Sequence, residues 1–309
     1  IVNSFDYTYN NKGNRIALAD NEGNTAYQYD TLNRLTRADY PDGTWETFDY
    51  DAVGNRTAHS SQDGTTTYYY NAGDQLTSSV GEDSATYTYD NAGNQIQKID
   101  ANGVTTNTFD RRGQLVRVDL PDGTNNQYSY YPGSDLRYTL TNKEGITTKY
   151  LYDGPNVIEE LDGAHTSQCH YIEGPGIDNH LGRVANGQVH AYVSDPLGSI
   201  REVVGPNGAV LNTYTYQAYG KTRSVVEGVT NPYRFTGRRW DADTGDHYFR
   251  ARYYSAGTGR FGGVDRYAPF EATYGYAHGN PMSFTDLLGL NPVQWPEEEK
   301  GLWTRMVEG

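Results

Sequence analysis

Tyr7-Thr8-Tyr9-Asn10, then Gly13-Asn14, then Arg15-Ile16-Ala17-Leu18 and finally Glu22-Gly23-Asn24 form one unit that the chain goes on to repeat. The unit returns as Tyr27-Gln28-Tyr29-Asp30, Phe48-Asp49-Tyr50-Asp51, Tyr68-Tyr69-Tyr70-Asn71, Tyr87-Thr88-Tyr89-Asp90 and Asn107-Thr108-Phe109-Asp110. Its second aromatic falls at Tyr9, Tyr29, Tyr50, Tyr70, Tyr89 and Phe109, a beat of 19 to 21 residues that Tyr130 and Tyr152 continue more loosely. A fixed period of this length marks a repeat architecture. Two aromatics separated by one residue lie on the same face of a strand, and that face is expected to be the buried one.

The residues after each aromatic pair complete the reading. Gly13-Asn14, Gly54-Asn55 and Gly93-Asn94 mark a tight turn, and a short alternating stretch such as 15–18 follows as a second strand. A second turn closes each unit at Glu22-Gly23-Asn24, Asp42-Gly43-Thr44, Asp63-Gly64-Thr65, Asn102-Gly103, Asp122-Gly123-Thr124 and Asn207-Gly208, where the residue types tolerate positive φ. Two turns per unit predict a continuous antiparallel meander, all-β, with almost no helix before the C-terminal tail. One hairpin cannot cover its own apolar face, so the units must stack.

Composition agrees with a wall built on tyrosine. Of 309 residues, 29 are Tyr and 35 are Gly, while only 8 are Phe, and the mean hydropathy is -0.80. Tyr supplies ring area for packing while its hydroxyl can stay wet. The formal charge of -14 repels phosphate backbones, so nucleic acid is excluded as a partner of this segment. No stretch has the ~20 apolar residues of a membrane span. The chain opens at Ile1 without a start Met or signal peptide and reads as a piece of something longer. A single Cys169 permits neither an internal disulfide nor a cysteine metal cage.

Past Tyr150 the spacing loosens, and Asp195-Pro196-Leu197-Gly198-Ser199 reads as an insertion. From about Asn231 the character changes: Arg234, Arg238, Arg239, Arg250, Arg252, Arg260 and Arg266 crowd beside Asp241, Asp243, Asp246 and Asp265. An internal salt-bridge network within a folded plug is the reading favoured over an anion site, because Arg forks suit carboxylates. No metal and no cofactor are expected. His165, His170, His180 and His190 lack a ligand spacing, and the acidic run 241–246 has no downstream bidentate Glu for calcium.

These repeats resemble YD repeats, and the C-terminal part resembles the Rhs core module of polymorphic toxins and the C components of insecticidal toxin complexes. The resemblance rests on Tyr192 to Ser199 (YVSDPLGS), Tyr214 to Gly220 (YTYQAYG), Tyr233 to Gly237 (YRFTG), His247 to Phe261 (HYFRARYYSAGTGRF) and Gly275 to Leu290 (GYAHGNPMSFTDLLGL). It implies a hollow β-sheet shell spiralling around a C-terminal toxin, with the core module plugging one end and cutting the toxin free by aspartyl self-cleavage. It also implies partners: the chain's own passenger, the remainder of the shell, and a secretion apparatus or toxin-complex component, all secreted, exported or at the cell surface. Residues 1–230 would be shell wall, 231–290 plug and self-cleavage module, and 291–309 the start of the passenger or a tail.

The family's cleavage motif corresponds to Asp286-Leu287-Leu288-Gly289-Leu290, so the resemblance puts the scissile bond at Leu290-Asn291. Its second aspartate follows Gly259-Arg260-Phe261 and matches Asp265, with Arg260 as a supporting residue. Two carboxylates in a poorly solvated site do not both ionise, so one can keep a proton while the other deprotonates water. Gly289 would permit the turn that returns the Leu290 carbonyl to the site. A plainer role for both aspartates is turn capping. Val264, Arg266 and Leu287 stand where the family has prolines, and Arg266 is placed by sequence to hold Asp265 ionised. Two other readings fit the chain: an extracellular carbohydrate-binding or adhesion repeat, and an inactive remnant of such a shell.

Overall fold

The computed structural model describes residues 4–266, 273–290 and the backbone of 293–294. Among them, 22 strands from β1 (Asp6–Tyr9) to β22 (Thr222–Glu227) form one antiparallel sheet in which each strand pairs with its neighbours in sequence. The predicted meander is present throughout. Among the described residues helix is limited to two single 3-10 turns, Phe235–Gly237 and Ala277–Gly279.

In the units through Asp110 the turn is built by the residue that follows the aromatic pair. Asp30 accepts through Oδ1 from the N–H groups of Leu32 and Arg34, both at 2.9 Å. Asp51 and Asp90 do the same two and four residues on. This side-chain turn satisfies backbone donors that the hairpin would otherwise leave open. Asp195 repeats it on Leu197 and Ser199, both at 3.0 Å, with Gly198 at φ +83. The stretch 195–199 is therefore one more turn of the series and not an insertion.

The first ring of most pairs is buried, as at Tyr27, Phe48, Tyr68, Tyr87, Tyr128 and Tyr150, and the residue between the rings faces out in several, with Tyr69 51% exposed. The second ring has a separate task. Pairing between β2 (Arg15–Asp20) and β3 (Gly23–Tyr29) stops at Ala17–Ala26, leaving the Arg15 carbonyl outside the ladder. Tyr29 Oη donates to it at 2.5 Å. Tyr50, Tyr70, Tyr130, Tyr152 and Tyr216 donate in the same way to Leu35, Arg56, Leu115, Arg137 and Ile200. A buried carbonyl must find a donor, which explains Tyr here in place of Phe. Where the pair reads Asn107-Thr108-Phe109, Asn107 Nδ2 supplies the bond, to Gln95 O at 3.0 Å.

The sheet curls until its late strands face its early ones. Arg201 reaches Asp20 at 3.0 Å, Arg223 contacts Asp42, and Ala218 N donates to buried Glu46 at 2.7 Å. Inside the curl, β23 (Arg239–Asp241), β24 (Asp246–Phe249), β25 (Arg252–Ser255) and β26 (Arg260–Phe261) make a second antiparallel sheet. β27 (Phe284–Thr285) pairs with β28 (Val293–Gln294). Phe249, Tyr254, Phe261 and Tyr276 pack at centroid separations of 4.6 to 6.0 Å, the tilted and edge-on spacing that aromatic quadrupoles prefer.

The arginine crowd forms ion pairs, as expected, but most partners belong to the wall. Arg234 meets Glu227, Arg239 meets Glu160, Arg238 and Arg250 both meet Asp178, and Arg266 meets Asp135 at 3.3 Å. In the other direction, wall residue Arg137 pairs with Asp241 at 2.8 Å, both fully buried. The network is thus not internal to the plug. It ties residues 234–266 to the meander, and buried pairs of this kind are weak evidence for net stability.

Candidate active site

Strands β24 and β25 are joined by Arg250-Ala251, a two-residue turn in which Arg250 has φ +60. That turn and Arg238 grip the stretch 286–290 by its backbone. Arg238 Nη1 donates to Leu287 O at 3.0 Å and Arg250 donates to the same oxygen. Ala251 N donates to Leu288 O at 3.2 Å, and Arg252 Nε to Gly289 O at 2.5 Å. Three consecutive carbonyls are held.

Asp286 uses its two oxygens differently. Oδ1 accepts from Leu288 N at 3.3 Å and Leu290 N at 3.0 Å, the same turn device found along the wall. Oδ2 accepts from Arg252 Nη2 at 3.3 Å. That same nitrogen donates to Asp265 Oδ2 at 3.1 Å, so one guanidinium joins both predicted aspartates. Asp265 is 4% exposed and Asp286 0%. Burial pushes the Asp286 carboxyl above its ordinary value, with Arg252 pulling the other way. Turn capping and juxtaposition with a second carboxylate are therefore both true of Asp286.

Gly289 is required twice. Its φ is +70, and a Cβ there would stand 2.4 Å from Phe249 O. Arg260 lies elsewhere, donating to Asn55 Oδ1 at 2.8 Å and Asp74 O at 2.6 Å in the wall. Arg266 reaches Asp135, and the guanidinium seen against Asp265 is that of Arg252. Leu290 is partly buried at the end of the held stretch, and Asn291 lies outside the described residues. Sequence reading missed Arg252, Arg238 and Arg250 as site residues. The available signal was Arg250-Ala251-Arg252 inside a matched motif.

The Teneurin YD-shell family model matches residues 4–286. The chain is 30% identical over 297 residues to a tRNA3(Ser)-specific nuclease WapA of Bacillus spizizenii, covering 91% of this chain and 11% of that one. It is also 30% identical over 162 residues to double-stranded DNA deaminase toxin A of Burkholderia cenocepacia, covering 50% of this chain and 11% of the relative. The chain thus spans about a tenth of these relatives. Among solved structures, the Photorhabdus luminescens Tc holotoxin pore aligns over 95% of this chain and 19% of its own, with TM-score 0.51 and 18% identity, a likeness of fold. A tyrosine meander curled around an arginine-pinned plug, matched by that model over nearly its whole length, belongs to the Teneurin YD-shell family.

Proposed function

We propose that this chain is the closing stretch of an exported toxin shell, with 1–230 as wall, 231–290 as plug and 291–309 as the start of an enclosed passenger. The plug cuts its own chain at Leu290-Asn291. Asp265, paired with Arg252, takes a proton from water as that water adds to the Leu290 carbonyl carbon. Asp286, whose carboxyl burial favours neutral, gives a proton to the Asn291 nitrogen as the C–N bond breaks. The products are a Leu290 carboxylate and an Asn291 amine. Gly289 shapes the turn, and Arg252 positions both carboxylates and the backbone one residue before the bond. The observation that carries this reading is the single Arg252 guanidinium shared by Asp265, Asp286 and the Gly289 carbonyl. The passenger and the rest of the shell are the direct partners, with a secretion apparatus or toxin-complex component delivering them. The relatives whose names describe a nuclease and a deaminase toxin support a toxin passenger.

The test is intact mass on the complete parent chain and its Asp265→Asn and Asp286→Asn variants. Wild type should give two co-eluting pieces that meet at Leu290 and Asn291, and each folded variant should give one mass. A folded wild type of one mass, or a variant that still cuts there, would overturn the reading.

A further inference from the structure

The Leu287 carbonyl has two donors, and the plug alone orients neither. Arg238 Nη1 donates to it at 3.0 Å, and Arg250 donates through its own Nη1. Both guanidiniums also meet Asp178, a wall residue between β17 (Ser167–Glu173) and β18 (His180–Ala185). Arg250 and Asp178 pair through two parallel bonds, Nη2 to Oδ1 at 2.7 Å and Nη1 to Oδ2 at 3.1 Å. A neighbouring wall turn takes the rest of Arg250, since Nε and Nη2 donate to Pro155 O at 3.2 and 2.9 Å. Asp178 is held in turn by its N–H, which donates to Asn156 Oδ1 at 2.9 Å. Gly289 O differs, because its donor Arg252 is paired with Asp265 and Asp286 of the plug itself. The stretch 286–290 is thus fixed at one carbonyl from the wall and at another from the plug.

Two features show that this clamp works against local preference. Arg250 stands at φ +60 as the first residue of a two-residue hairpin turn, a place that favours Gly. Glycine there would ease the turn and lose the contacts with Asp178, Pro155 and Leu287. Arg238 and Arg250 are also 2% and 7% exposed, and they bring two positive charges to one carbonyl oxygen. Burial and the neighbouring Arg250 charge push Arg238 well below its ordinary value. Asp178, its side chain 7% exposed, sets a carboxylate against both cations. Without that charge, two buried guanidiniums repel each other at the oxygen they share, and one must leave it.

We propose that Asp178 is the wall's positioning residue for the cut after Leu290: it keeps Arg238 and Arg250 on the Leu287 carbonyl and so sets the backbone between Asp286 and the scissile bond. This rests on the self-cleavage reading above. Asp178 touches none of the reacting atoms and acts through the two arginines. Because Leu287 follows Asp286 directly, the same hold sets where the Asp286 carboxyl stands against Arg252. A misplacement of about 1 Å costs on the order of 100-fold in a reaction that depends on a held geometry. The consequence is an order of events. The plug acquires its cutting geometry only once it is seated against residues 155–178, so the passenger is freed after that part of the wall has folded around the plug.

The test is Asp178→Asn in the complete parent chain, alone and with Arg238→Met. Asn matches Asp in shape and tolerates the φ of +60 found at 178, so the substitution removes charge and little else. Pulse-labelled cell-free synthesis gives the rate at which the piece ending at Leu290 appears, and Asp178→Asn should slow it about 100-fold. Adding Arg238→Met removes one of the two repelling cations and leaves Arg250 on Leu287 O, so the double variant should regain at least about tenfold of that rate. A merely structural role predicts a double variant no better than the single one. Hydrogen exchange of the peptide over 286–290, in the Asp265→Asn background, reads the clamp without the cut. There Asp178→Asn should speed exchange at Leu288 and Leu290, whose N–H groups Asp286 holds, and the double variant should slow it again. An Asp178→Asn chain that cuts at the wild-type rate, or a double variant that cuts no faster than the single one, would overturn the proposal. If wild type does not cut, the self-cleavage reading fails by itself. The exchange pattern then decides on Asp178: faster and restored upholds its hold on 286–290, and unchanged refutes it.

Discussion

Replacing Arg252 by Met removes the cation whose Nη2 donates to two buried carboxylates. Asp265 and Asp286 would be left without its charge at 4% and 0% exposure, and the carbonyls of Gly289 and Thr273 would lose the donors at 2.5 and 3.0 Å. Breaking a buried pair from one side costs about 3–5 kcal/mol, which is the loss expected here. The loss should depend on pH. Without Arg252, uncompensated burial raises the folded pKa of Asp286 further above the unfolded value, which it already exceeds. A carboxyl raised on folding binds more protons folded than unfolded, so its contribution falls as pH rises through the folded pKa. Below the unfolded carboxyl pKa, near 4, Asp286 is neutral in both states and the variant loses mainly hydrogen bonds, about 1–3 kcal/mol. At pH 7.5 the full penalty should appear. Urea melts followed by circular dichroism at pH 3.5 and 7.5 measure both. Equal losses at the two pH values, or less than about 1 kcal/mol at pH 7.5, would refute the assignment of Arg252 as counter-ion to the pair.

Two further outcomes test the wall and the turn. Asn107→Ala strips the donor from Gln95 O and should cost about 1–3 kcal/mol in urea melts, while adding Phe109→Tyr should return most of it by restoring the usual hydroxyl. No recovery in the double variant would show that the tyrosine hydroxyls are not what the unit needs. Gly289→Ala places a side chain at φ +70 and against Phe249 O, so it should lower stability by at least about 1–2 kcal/mol and raise hydrogen exchange at Leu288 and Leu290. Unchanged exchange there would mean that the turn does not depend on Gly289.

Much of this molecule is local and therefore legible in its residues. A 20-residue beat, an aromatic pair with one residue between, an Asp or Asn after it and a Gly beyond determine strand, inward face and turn within a few residues of each other. Sequence also named Asp265 and Asp286, through motifs, as residues worth bringing together. What the second Tyr of each pair does was out of reach, because its acceptor lies in the adjoining strand 14 to 16 residues back, at the point where a ladder stops. The partners of the arginines were further out still. Arg266 adjoins Asp265 in the chain, yet Arg252 is the one whose fork reaches it, across the plug sheet and with the same nitrogen that meets Asp286. Short-range steric and hydrogen-bond rules determined the repeat. Only the curl of the sheet around its plug decided which buried charges meet, because a guanidinium pairs with whatever carboxylate the packed elements leave within about 3 Å.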